Sequence, residues 1–359
     1  MTASRLDDMA DYSQQNGDGI VSLLGREILD VGSRRRRQCL RDAYEYWRKT
    51  GFPYGNLKKK EVESLFRSVS NSPELDISDG HVLNTSTVGL RLANSYHPQM
   101  WHARSHGHLR CPYDYFQDDD HLRTMLERAP RFWPKKRCWS PQAIRNLVRI
   151  YAGGRVSNFR PVVARNIINR FSRDGDIVLD FSAGYGGRLL GCLTLDRLYI
   201  GIDPARKQVS GLKRMYKDLH KYSSSQAEIM MGCAEDILPS MDRDSVDIVF
   251  SSPPFFNLEI YSDEPTQSSN RYKEYEAWRS CFLEVVIAQA RRVLRRKGFF
   301  AINVPTRCRY PIESDTLGFA SDLFSYHCTI NMKMNARPLQ RAQNGCAYRT
   351  EPIYVFQKR

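Results

Sequence analysis

The spacing of apolar residues changes once along the chain and divides it into two parts. Between residues 38 and 155, apolar side chains such as Leu40, Ala43 and Trp47 recur three or four positions apart, and loop signals separate these stretches. From residue 156 onwards, short apolar runs alternate with helical patterns. The first pattern predicts a mainly helical region, and the second predicts an α/β domain.

Seven apolar runs in the second part predict strands, at residues 177–181, 198–202, 228–231, 246–250, 299–304, 328–332 and 352–356. Helical patterns between them predict helices at residues 188–195, 207–219 and 272–295, the last ending at Lys297-Gly298. The last two strands are expected to pair with each other. This alternation predicts a doubly wound, mostly parallel seven-stranded sheet with helices on both faces, a Rossmann-like α/β fold.

These patterns divide the chain into three segments. Residues 1–37 are rich in Ser, Asp, Gln and Gly and end in four arginines, so we expect a flexible tail with a basic end. Residues 38–155 are a helical accessory region and a candidate for nucleic-acid recognition. Residues 156–359 are the α/β domain.

The chain carries a large excess of positive charge. Its 359 residues include 54 lysines and arginines against 40 aspartates and glutamates, which gives a net charge of +14. Such a charge favours a polyanionic partner, with nucleic acid as the first candidate. The alternative is that the excess charge only keeps the protein soluble.

Composition excludes several classes of protein. Hydrophobic residues make up 41% of the chain, enough for a sizeable core, but no run of about 18 apolar residues occurs, so no membrane span is predicted. The N-terminal residues lack the apolar stretch of a secretory signal, and the nine cysteines are scattered without a CxxC pair. We therefore expect a cytoplasmic protein with reduced thiols.

One local cluster combines residue types that bind zinc: His97, His102, His106, His108 and Cys111, with His121 further on. Their spacing matches no zinc motif, so no metal site is predicted. The alternative is an aromatic and basic surface segment.

A glycine-rich turn follows the first predicted strand of the α/β domain and reads Asp180-Phe181-Ser182-Ala183-Gly184-Tyr185-Gly186-Gly187. Glycines here let the backbone approach a ligand, and doubly wound sheets bind ligands at the carboxyl ends of their strands. The second strand ends at Asp203-Pro204, where a carboxylate can accept hydrogen bonds from both ribose hydroxyls. The spacing departs from the GxGxxG of NAD-binding proteins, and no GxxxxGK[ST] motif occurs, which disfavours those two classes.

A second loop follows the fourth predicted strand and reads Ser252-Pro253-Pro254-Phe255-Phe256. Two consecutive prolines remove two N–H donors and stiffen the backbone. The carbonyl groups of Ser252 and Pro253 are thereby left free to accept. A structural turn stiffened by proline is the alternative.

These two loops carry a resemblance to a known family, over residues 157–359. The run from Asp180 to Gly186 resembles the first motif of class I S-adenosylmethionine-dependent methyltransferases. Ser252-Pro253-Pro254-Phe255 resembles the [DNS]-PP-[YFW] motif of the members that methylate exocyclic amines of cytosine or adenine. The start of the helix before the first strand and the final strand also resemble that family.

The resemblance implies S-adenosyl-L-methionine as the cofactor, with these residues holding it: Phe159, Pro161, Asp180, Phe181, Ser182, Ala183, Gly184, Gly186, Asp203, Pro204 and Asp236. Asp236 is chosen because Cys233 stands where the family often has an acidic residue.

The implied catalytic residues are Ser252, Pro253, Pro254 and Phe255. The Ser252 side chain and the Pro253 carbonyl accept the two N–H bonds of the target amine, and Phe255 stacks on a base flipped out of a DNA duplex. Three polar residues beyond the loop are expected to contact the base or the backbone, with hydrogen bonds that order the loop as the alternative: Asn257, Glu259 and Tyr261.

The favoured function is DNA amino-methylation, with N4 of cytosine before N6 of adenine because the loop begins with serine. No target-recognition insert fits between residues 232–238 and Ser252, and only a short segment follows Val304. DNA contacts are therefore expected from the basic clusters at residues 34–37, 58–60, 135–137 and 333–349. The alternatives are methylation of RNA or of a small molecule, transfer of another group from the same cofactor, and a non-catalytic regulator that binds nucleic acid.

Overall fold

The computed structural model describes residues 18–80, 82–83, 85–105, 110–152, 156–306, 308–335 and 348–359. They form two compact units. The helical unit comprises the described residues within Met1–Tyr54 and Trp101–Val156, and the sheet unit comprises those within Gly55–Met100 and Ser157–Arg359.

The α-helices of the described residues are numbered in chain order: α1 Asp18–Ser22, α2 Gly25–Asp30, α3 Ser33–Thr50, α4 Lys59–Ser70, α5 Leu90–Ser95, α6 Pro112–Gln117, α7 Asp119–Phe132, α8 Pro141–Tyr151, α9 Pro161–Phe171, α10 Gly187–Cys192, α11 Arg206–Leu219, α12 Ala234–Ile237, α13 Ser268–Arg271, α14 Tyr275–Trp278, α15 Glu284–Val293 and α16 Ile312–Leu323.

The strands of the main sheet are numbered in the same way: β1 Val82–Leu83, β2 Ile177–Asp180, β3 Leu198–Asp203, β4 Gln226–Met231, β5 Val246–Ser251, β6 Leu294–Asn303, β7 Ser325–Asn335 and β8 Tyr348–Gln357. Two further two-residue strands lie outside it, at Arg104–Ser105 and Glu259–Ile260.

The helical unit is built around buried tryptophans. The indole N–H of Trp47 on α3 donates to the carbonyl of Trp139 (3.2 Å), and the Trp139 indole donates to the carbonyl of Leu126 on α7 (2.9 Å). Both indoles are almost fully buried. Each buried N–H thus has an acceptor, so these large side chains supply apolar contact without an unpaired donor.

Residues 18–37 do not form the flexible tail that the composition predicts. They make up α1, α2 and the start of α3, and Ile20, Leu23 and Ile28 are buried there. The guanidinium of Arg36 donates to the carbonyl of Ile28 (3.1 Å), so one of the four arginines serves to hold α3 against α2. The apolar residues are too few and too widely spaced for the sequence to indicate these short helices. The first 17 residues lie outside the described part of the chain.

The sheet unit contains one eight-stranded sheet in the order β1-β7-β8-β6-β5-β2-β3-β4. All neighbouring strands are parallel except β8, which lies antiparallel between β6 and β7. The run β4-β3-β2-β5-β6 has the order of a doubly wound Rossmann sheet. The predicted Rossmann-like, mostly parallel sheet is therefore confirmed, with the short β1 as an additional eighth strand.

The predicted pairing of the last two strands is also confirmed, because Pro352 lies opposite Asn331 and Val355 opposite Cys328. The predicted helix 272–295 is wrong in detail. It is divided into α14, a π-helical turn at Arg279–Leu283 and α15, and it ends at Val293. Leu294 is buried and already extended, so β6 begins before the Lys297-Gly298 stop signal.

Both faces of the sheet are covered by helices. Val178 on β2 packs in a buried cluster with Ile168 of α9, whereas its neighbour Leu179 packs in a second cluster with Val286 of α15. Successive strand residues point to opposite faces, so two apolar neighbours imply two buried faces.

Residues 55–100 belong to the sheet unit, although the sequence pattern grouped them with the helical region. Phe66 and Val69 of α4 and Leu92 of α5 pack in the same cluster as α9. The division into units follows these contacts, which helical periodicity alone does not reveal. Among the described residues, no helix combines the length and the apolar character that crossing a membrane requires.

Helices α9 and α10 approach each other closely at Gly191. A Cβ added to Gly191 would lie 2.6 Å from the Pro161 carbonyl oxygen and 2.7 Å from the Arg165 amide nitrogen. Both atoms belong to the backbone and cannot move independently, so any side chain at residue 191 would push the two helices apart.

We expect Gly191→Ala to lower the free energy of unfolding by about 1–3 kcal/mol through overpacking. Gly318→Ala is the matched control, because Gly318 lies in α16 with no atom within 4 Å of its added Cβ. Removing that glycine should stabilise the helix by roughly 0.5–1 kcal/mol. Denaturant unfolding measures the free energy of unfolding of both variants. Equal changes in Gly191→Ala and Gly318→Ala would contradict the close approach of α9 and α10.

Candidate active site

Three adjacent parallel strands place the predicted site at one edge of the sheet. The glycine loop follows β2, Asp203 ends β3 and the Ser252-Pro253-Pro254-Phe255 loop follows β5. Because β5, β2 and β3 are neighbours in the sheet, their carboxyl ends lie side by side.

The glycine loop is fastened to Asp203 through its backbone. The Gly184 N–H donates to one Asp203 carboxylate oxygen (2.8 Å), and the Ala205 N–H donates to the other (2.9 Å). Gly184 and Gly186 have φ values of 54° and 73°, which glycine adopts without a Cβ penalty. Asp203 is 7% exposed, and its burial raises the pKa of the carboxyl to about 7.

The outer side of this loop is open. A Cβ added to Gly184 would meet nothing closer than the Ser182 carbonyl oxygen at 3.7 Å. The loop and Asp203 therefore leave room for a ligand beside a buried carboxylate. Each carboxylate oxygen has two acceptor sites, so Asp203 can accept further hydrogen bonds beyond those from the two amides.

Asp180 occupies the centre of a buried hydrogen-bond network. One carboxylate oxygen accepts from Arg188 Nε and the Tyr199 hydroxyl (2.7 Å each), and the other accepts from the Ser251 hydroxyl (2.8 Å). The carboxylate is fully buried, and Arg188 also donates to the Ser182 carbonyl (2.5 Å). The carboxylate of Asp180, a predicted cofactor residue, faces these protein donors and links the two loops.

The segment before α9 reaches the glycine loop through Asn158. Its side-chain amide donates to the Tyr185 carbonyl (2.8 Å) and accepts from the Gly187 N–H (3.1 Å). The ring of the predicted cofactor residue Phe159 packs edge-on against Phe250, and Pro161 is buried at the start of α9. The remaining loop residues predicted for the cofactor follow β2 directly, with Phe181 and Ala183 buried and Ser182 half-buried.

The loop after β5 presents one hydroxyl and one aromatic ring. The Ser252 hydroxyl lies 2.7 Å from Asn303 Oδ1. Pro253 is buried, whereas Pro254 and Phe255 are half-buried. Phe256 is 2% exposed and packs against Tyr275 and Tyr310, so Phe255 is the phenylalanine of this pair that remains available for a ligand.

Phe256 adopts an unusual backbone conformation, with φ at 54°. The left-handed conformation destabilises a residue that has a Cβ by roughly 1–2 kcal/mol. The aromatic packing of its side chain compensates for this conformation and fixes the end of the loop.

The segment beyond the loop returns to the glycine turn. Tyr261 donates its hydroxyl hydrogen to the Glu259 carboxylate, and its ring meets the Tyr185 ring edge-on at 6.1 Å. Burial of Glu259, followed by the charge of Glu351, raises the pKa of the Glu259 carboxyl to about 7. Asn257 is half-buried between this segment and the Ser252-Pro253-Pro254-Phe255 loop.

Residues further along this segment lie over the ends of β3 and β4. The Thr266 hydroxyl donates to the carbonyl of the predicted cofactor residue Pro204 (3.3 Å). The Arg271 guanidinium binds both oxygens of Asp236 (2.5 and 2.8 Å), and the Asp236 side chain is 56% exposed. Both carboxylate oxygens of Asp236, a predicted cofactor residue, are therefore already engaged by Arg271.

Sequence reasoning missed the residues that position this site: Asn158, Arg188, Arg271 and Asn303. Asn303 had one usable signal, because it is a polar residue at the end of a strand whose preceding residues are apolar. Asn158 and Arg271 lie 27 or more positions from the groups they bind, whereas Arg188 lies only eight positions after Asp180, directly behind the glycine-rich turn.

The histidine and cysteine residues between His97 and His121 have other partners. His97 is fully buried against Tyr185, and burial lowers its pKa to about 3. His121 lies beside Asp118, and Cys111 precedes α6. His106 and His108 lie outside the described residues. No group of three potential metal ligands occurs in the described part of the chain.

Neither protein-family models nor curated proteins match this chain. Among solved structures, the chain is similar to TrmN from Thermus thermophilus, with 12% identity and a TM-score of 0.39 over 55% of this chain and 49% of that one. It therefore spans about half the length of TrmN.

Two other solved structures are similar over most of their own length. One is a SAM-dependent methyltransferase from Methanosarcina mazei, with 14% identity and a TM-score of 0.39 over 54% of this chain and 96% of that one. The other is a putative rRNA-methylase from Clostridium thermocellum, with 12% identity and a TM-score of 0.36 over 56% and 98%. Similarity at this level assigns neither a substrate nor an activity to the chain.

Proposed function

We propose that this protein is an S-adenosylmethionine-dependent DNA amino-methyltransferase that prefers N4 of cytosine to N6 of adenine. The observation that supports it most directly is the position of the Ser252-Pro253-Pro254-Phe255 loop. It follows β5, the neighbour of the strand that carries the glycine loop. The hydrogen bond from Ser251 to Asp180 links the two loops.

The glycine loop and Asp203 suit a nucleoside cofactor. Asp203 would accept the ribose hydroxyls, and the open side of Gly184 would lie against the ligand. S-adenosylmethionine, when bound, supplies an electrophilic methyl group on a positively charged sulfur. Phe159, brought to the loop by Asn158, would flank the methionine end.

The catalytic loop supplies what an aromatic amine requires. The lone pair of such an amine is delocalised into the ring, so the nitrogen is a weak nucleophile. Acceptors on its two N–H bonds, the Ser252 hydroxyl and the Pro253 carbonyl, draw the nitrogen toward a tetrahedral shape. Phe255 offers a π-face for the base. Catalysis is then positioning and electrostatics without a covalent intermediate.

The preference for cytosine rests on the serine that begins the loop, which is commoner in the cytosine-N4 members of the family that the sequence resembles. Asn257, Glu259 and Tyr261 are proposed to contact the base or the backbone. The bond between Tyr261 and Glu259 equally supports a role in ordering the segment.

A basic surface on the helical unit supports a nucleic-acid partner. Arg34, Arg37 and Arg41 are exposed at successive turns of α3, and Lys135 and Lys136 are exposed after α7. We call these five residues the basic surface.

The short helix α2 joins the two halves of this surface. The Gly25 N–H donates to the Lys136 carbonyl (3.0 Å), and Arg36 binds the carbonyl of Ile28 in α2. Six helical residues span about 9 Å, and we propose that both halves contact one stretch of phosphates. Phe132 is 51% exposed beside the second half, although the acidic Asp30 is also exposed here.

The decisive experiment is transfer of tritiated methyl groups to duplex DNA by the purified full chain, followed by nucleoside mass spectrometry. We expect N4-methylcytosine. Label confined to RNA or to small molecules would contradict the DNA assignment, and transfer of another group would contradict methylation. DNA binding without any transfer would favour the non-catalytic regulator.

Ser252→Ala should lower turnover by on the order of 10²–10³, because one acceptor at the amine is lost. Its affinity for S-adenosylmethionine should be unchanged. The exposed Ser314, whose hydroxyl donates only within the start of α16, gives the matched control Ser314→Ala, which should keep full turnover. Unchanged turnover in Ser252→Ala would refute the role of the hydroxyl.

Affinity for S-adenosylmethionine should rise as the pH increases from about 6 to about 8. Burial raises the Asp203 pKa to about 7, so at lower pH the carboxyl is largely protonated and loses acceptor capacity. Calorimetry at several pH values measures this change. Asp203→Asn should bind weakly with little pH dependence.

Glu259 titrates in the same range, so Glu259→Gln separates the two groups. The pH dependence of cofactor affinity should persist in that variant. If it disappears there and survives in Asp203→Asn, the assignment of the ribose site to Asp203 is wrong.

Neutralising the basic surface should weaken DNA binding and its salt dependence together. Arg34→Gln/Arg37→Gln removes two contacts, so the slope of log affinity against log salt should fall by about 2. The exposed Lys213 and Lys217 of α11 give the control Lys213→Gln/Lys217→Gln. Fluorescence anisotropy with a labelled duplex measures the DNA affinity of each variant at several salt concentrations. If the Arg34/Arg37 variant and the Lys213/Lys217 control have equal salt slopes, the placement of the basic surface is wrong.

A further inference from the structure

A buried asparagine lies beside the catalytic loop. Asn303 is the last residue of β6, the strand next to β5, and it is 3% exposed. Ser251 pairs with Ile302 in this part of the sheet, so Ser252 and Asn303 emerge side by side at its carboxyl edge.

Two hydrogen bonds determine how the Asn303 amide is oriented. Its Nδ2 group donates to the Pro352 carbonyl on β8 (2.9 Å), which leaves Oδ1 toward the Ser252 hydroxyl at 2.7 Å. The opposite orientation would set Oδ1 against the Pro352 carbonyl oxygen, with no hydrogen between two acceptors. The pair of contacts therefore selects one orientation.

This orientation decides where the Ser252 proton lies. Asn303 Oδ1 carries no hydrogen, so the hydroxyl must be the donor in the 2.7 Å contact. The other Asn303 atom near Ser252 Oγ is the main-chain carbonyl oxygen at 3.4 Å, which is also an acceptor. The single hydroxyl hydrogen is thus directed toward Asn303, and the lone pairs of Oγ remain available.

We propose that Asn303 is a positioning residue that makes the Ser252 hydroxyl act only as a hydrogen-bond acceptor toward the target amine. The proposal rests on the proposed function. A freely rotating hydroxyl could donate to the amine nitrogen and engage the lone pair that must attack. Asn303 prevents this by holding the hydroxyl hydrogen on the side away from the substrate.

A chain of hydrogen bonds connects β8 to the Ser252 hydroxyl. Pro352 on β8 fixes Asn303, Asn303 fixes the Ser252 hydroxyl, and Ser252 meets the amine. The competing view is that Asn303 only ties β6 to β8. If Asn303 acts through Ser252, the effect of an Asn303 substitution on turnover disappears when the Ser252 hydroxyl is removed. If Asn303 only ties the strands together, the effect remains. A double-mutant cycle measures this difference.

The test uses Asn303→Leu, Ser252→Ala and the double variant in the full chain, with kcat and KM measured on duplex DNA. Asn303→Leu should lower kcat by about tenfold or more, as expected for one lost hydrogen bond near the reacting nitrogen, and leave cofactor affinity unchanged. In the Ser252→Ala background the same substitution should have little further effect. Additive losses would overturn the proposal.

Two further variants separate positioning from stability. Asn303→Asp keeps an acceptor oxygen beside Ser252, but once its carboxyl is ionised it cannot donate to the Pro352 carbonyl. At a pH where it is ionised, turnover above that of Asn303→Leu would support positioning of the hydroxyl, and turnover equal to that of Asn303→Leu would contradict it. Asn166→Ala is the matched control. Asn166 is 4% exposed and likewise bridges two backbone groups, from Leu75 and Val162 (2.8 Å each), but lies in α9.

Asn166→Ala should lower the melting temperature without lowering kcat beyond about twofold. A loss of kcat like that of Asn303→Leu would make the effect one of general stability and overturn the proposal. If the wild-type chain transfers no methyl group to DNA, the proposed function fails and this proposal fails with it. If the wild type is active and the cycle is additive, only the role of Asn303 is refuted.

Discussion

The buried carboxylate of Asp180 is the constraint on which the candidate site depends. A carboxylate without solvent is tolerable only with charge compensation and hydrogen-bond donors, and Arg188, Tyr199 and Ser251 supply both. Since Arg188 is on α10 and Ser251 ends β5, satisfying this one charge fixes two loops relative to each other. The parallel pairing of β2 with β5 brings the two loops together, and the hydrogen bonds to Asp180 hold them there.

Two groups of strands present different residues at the carboxyl edge of the sheet. β2 and β3 present the glycine loop and Asp203, which suit a nucleoside. β5, β6 and β8 present Ser252 and its support from Asn303 and the Pro352 carbonyl. The antiparallel β8 therefore does more than extend the sheet, because its backbone orients a side chain beside the Ser252-Pro253-Pro254-Phe255 loop.

The sequence was sufficient for features that depend on local pattern. Alternating apolar runs revealed the strands, and residues 328–332 and 352–356 were expected to pair across the basic loop between them. The break in the predicted helix 272–295 was hidden, because a π-helical turn leaves the apolar pattern nearly intact.

Contacts between distant residues were hidden for another reason. The pairs Asp180–Ser251, Ser252–Asn303 and Asp236–Arg271 join residues 71, 51 and 35 positions apart, and no periodicity encodes them. Residues 18–30 form helices through a few buried apolar side chains in a polar stretch, so composition indicated disorder where packing imposes order.

The left-handed conformation of Phe256 has a consequence for molecular recognition. Its strain is offset by the aromatic packing with Tyr275 and Tyr310, which needs no group from outside the protein. The acceptors of the preceding loop are thus ordered during folding. A ligand that binds at this loop would not bear the entropic cost of ordering it, so more of its interaction energy would remain as net affinity.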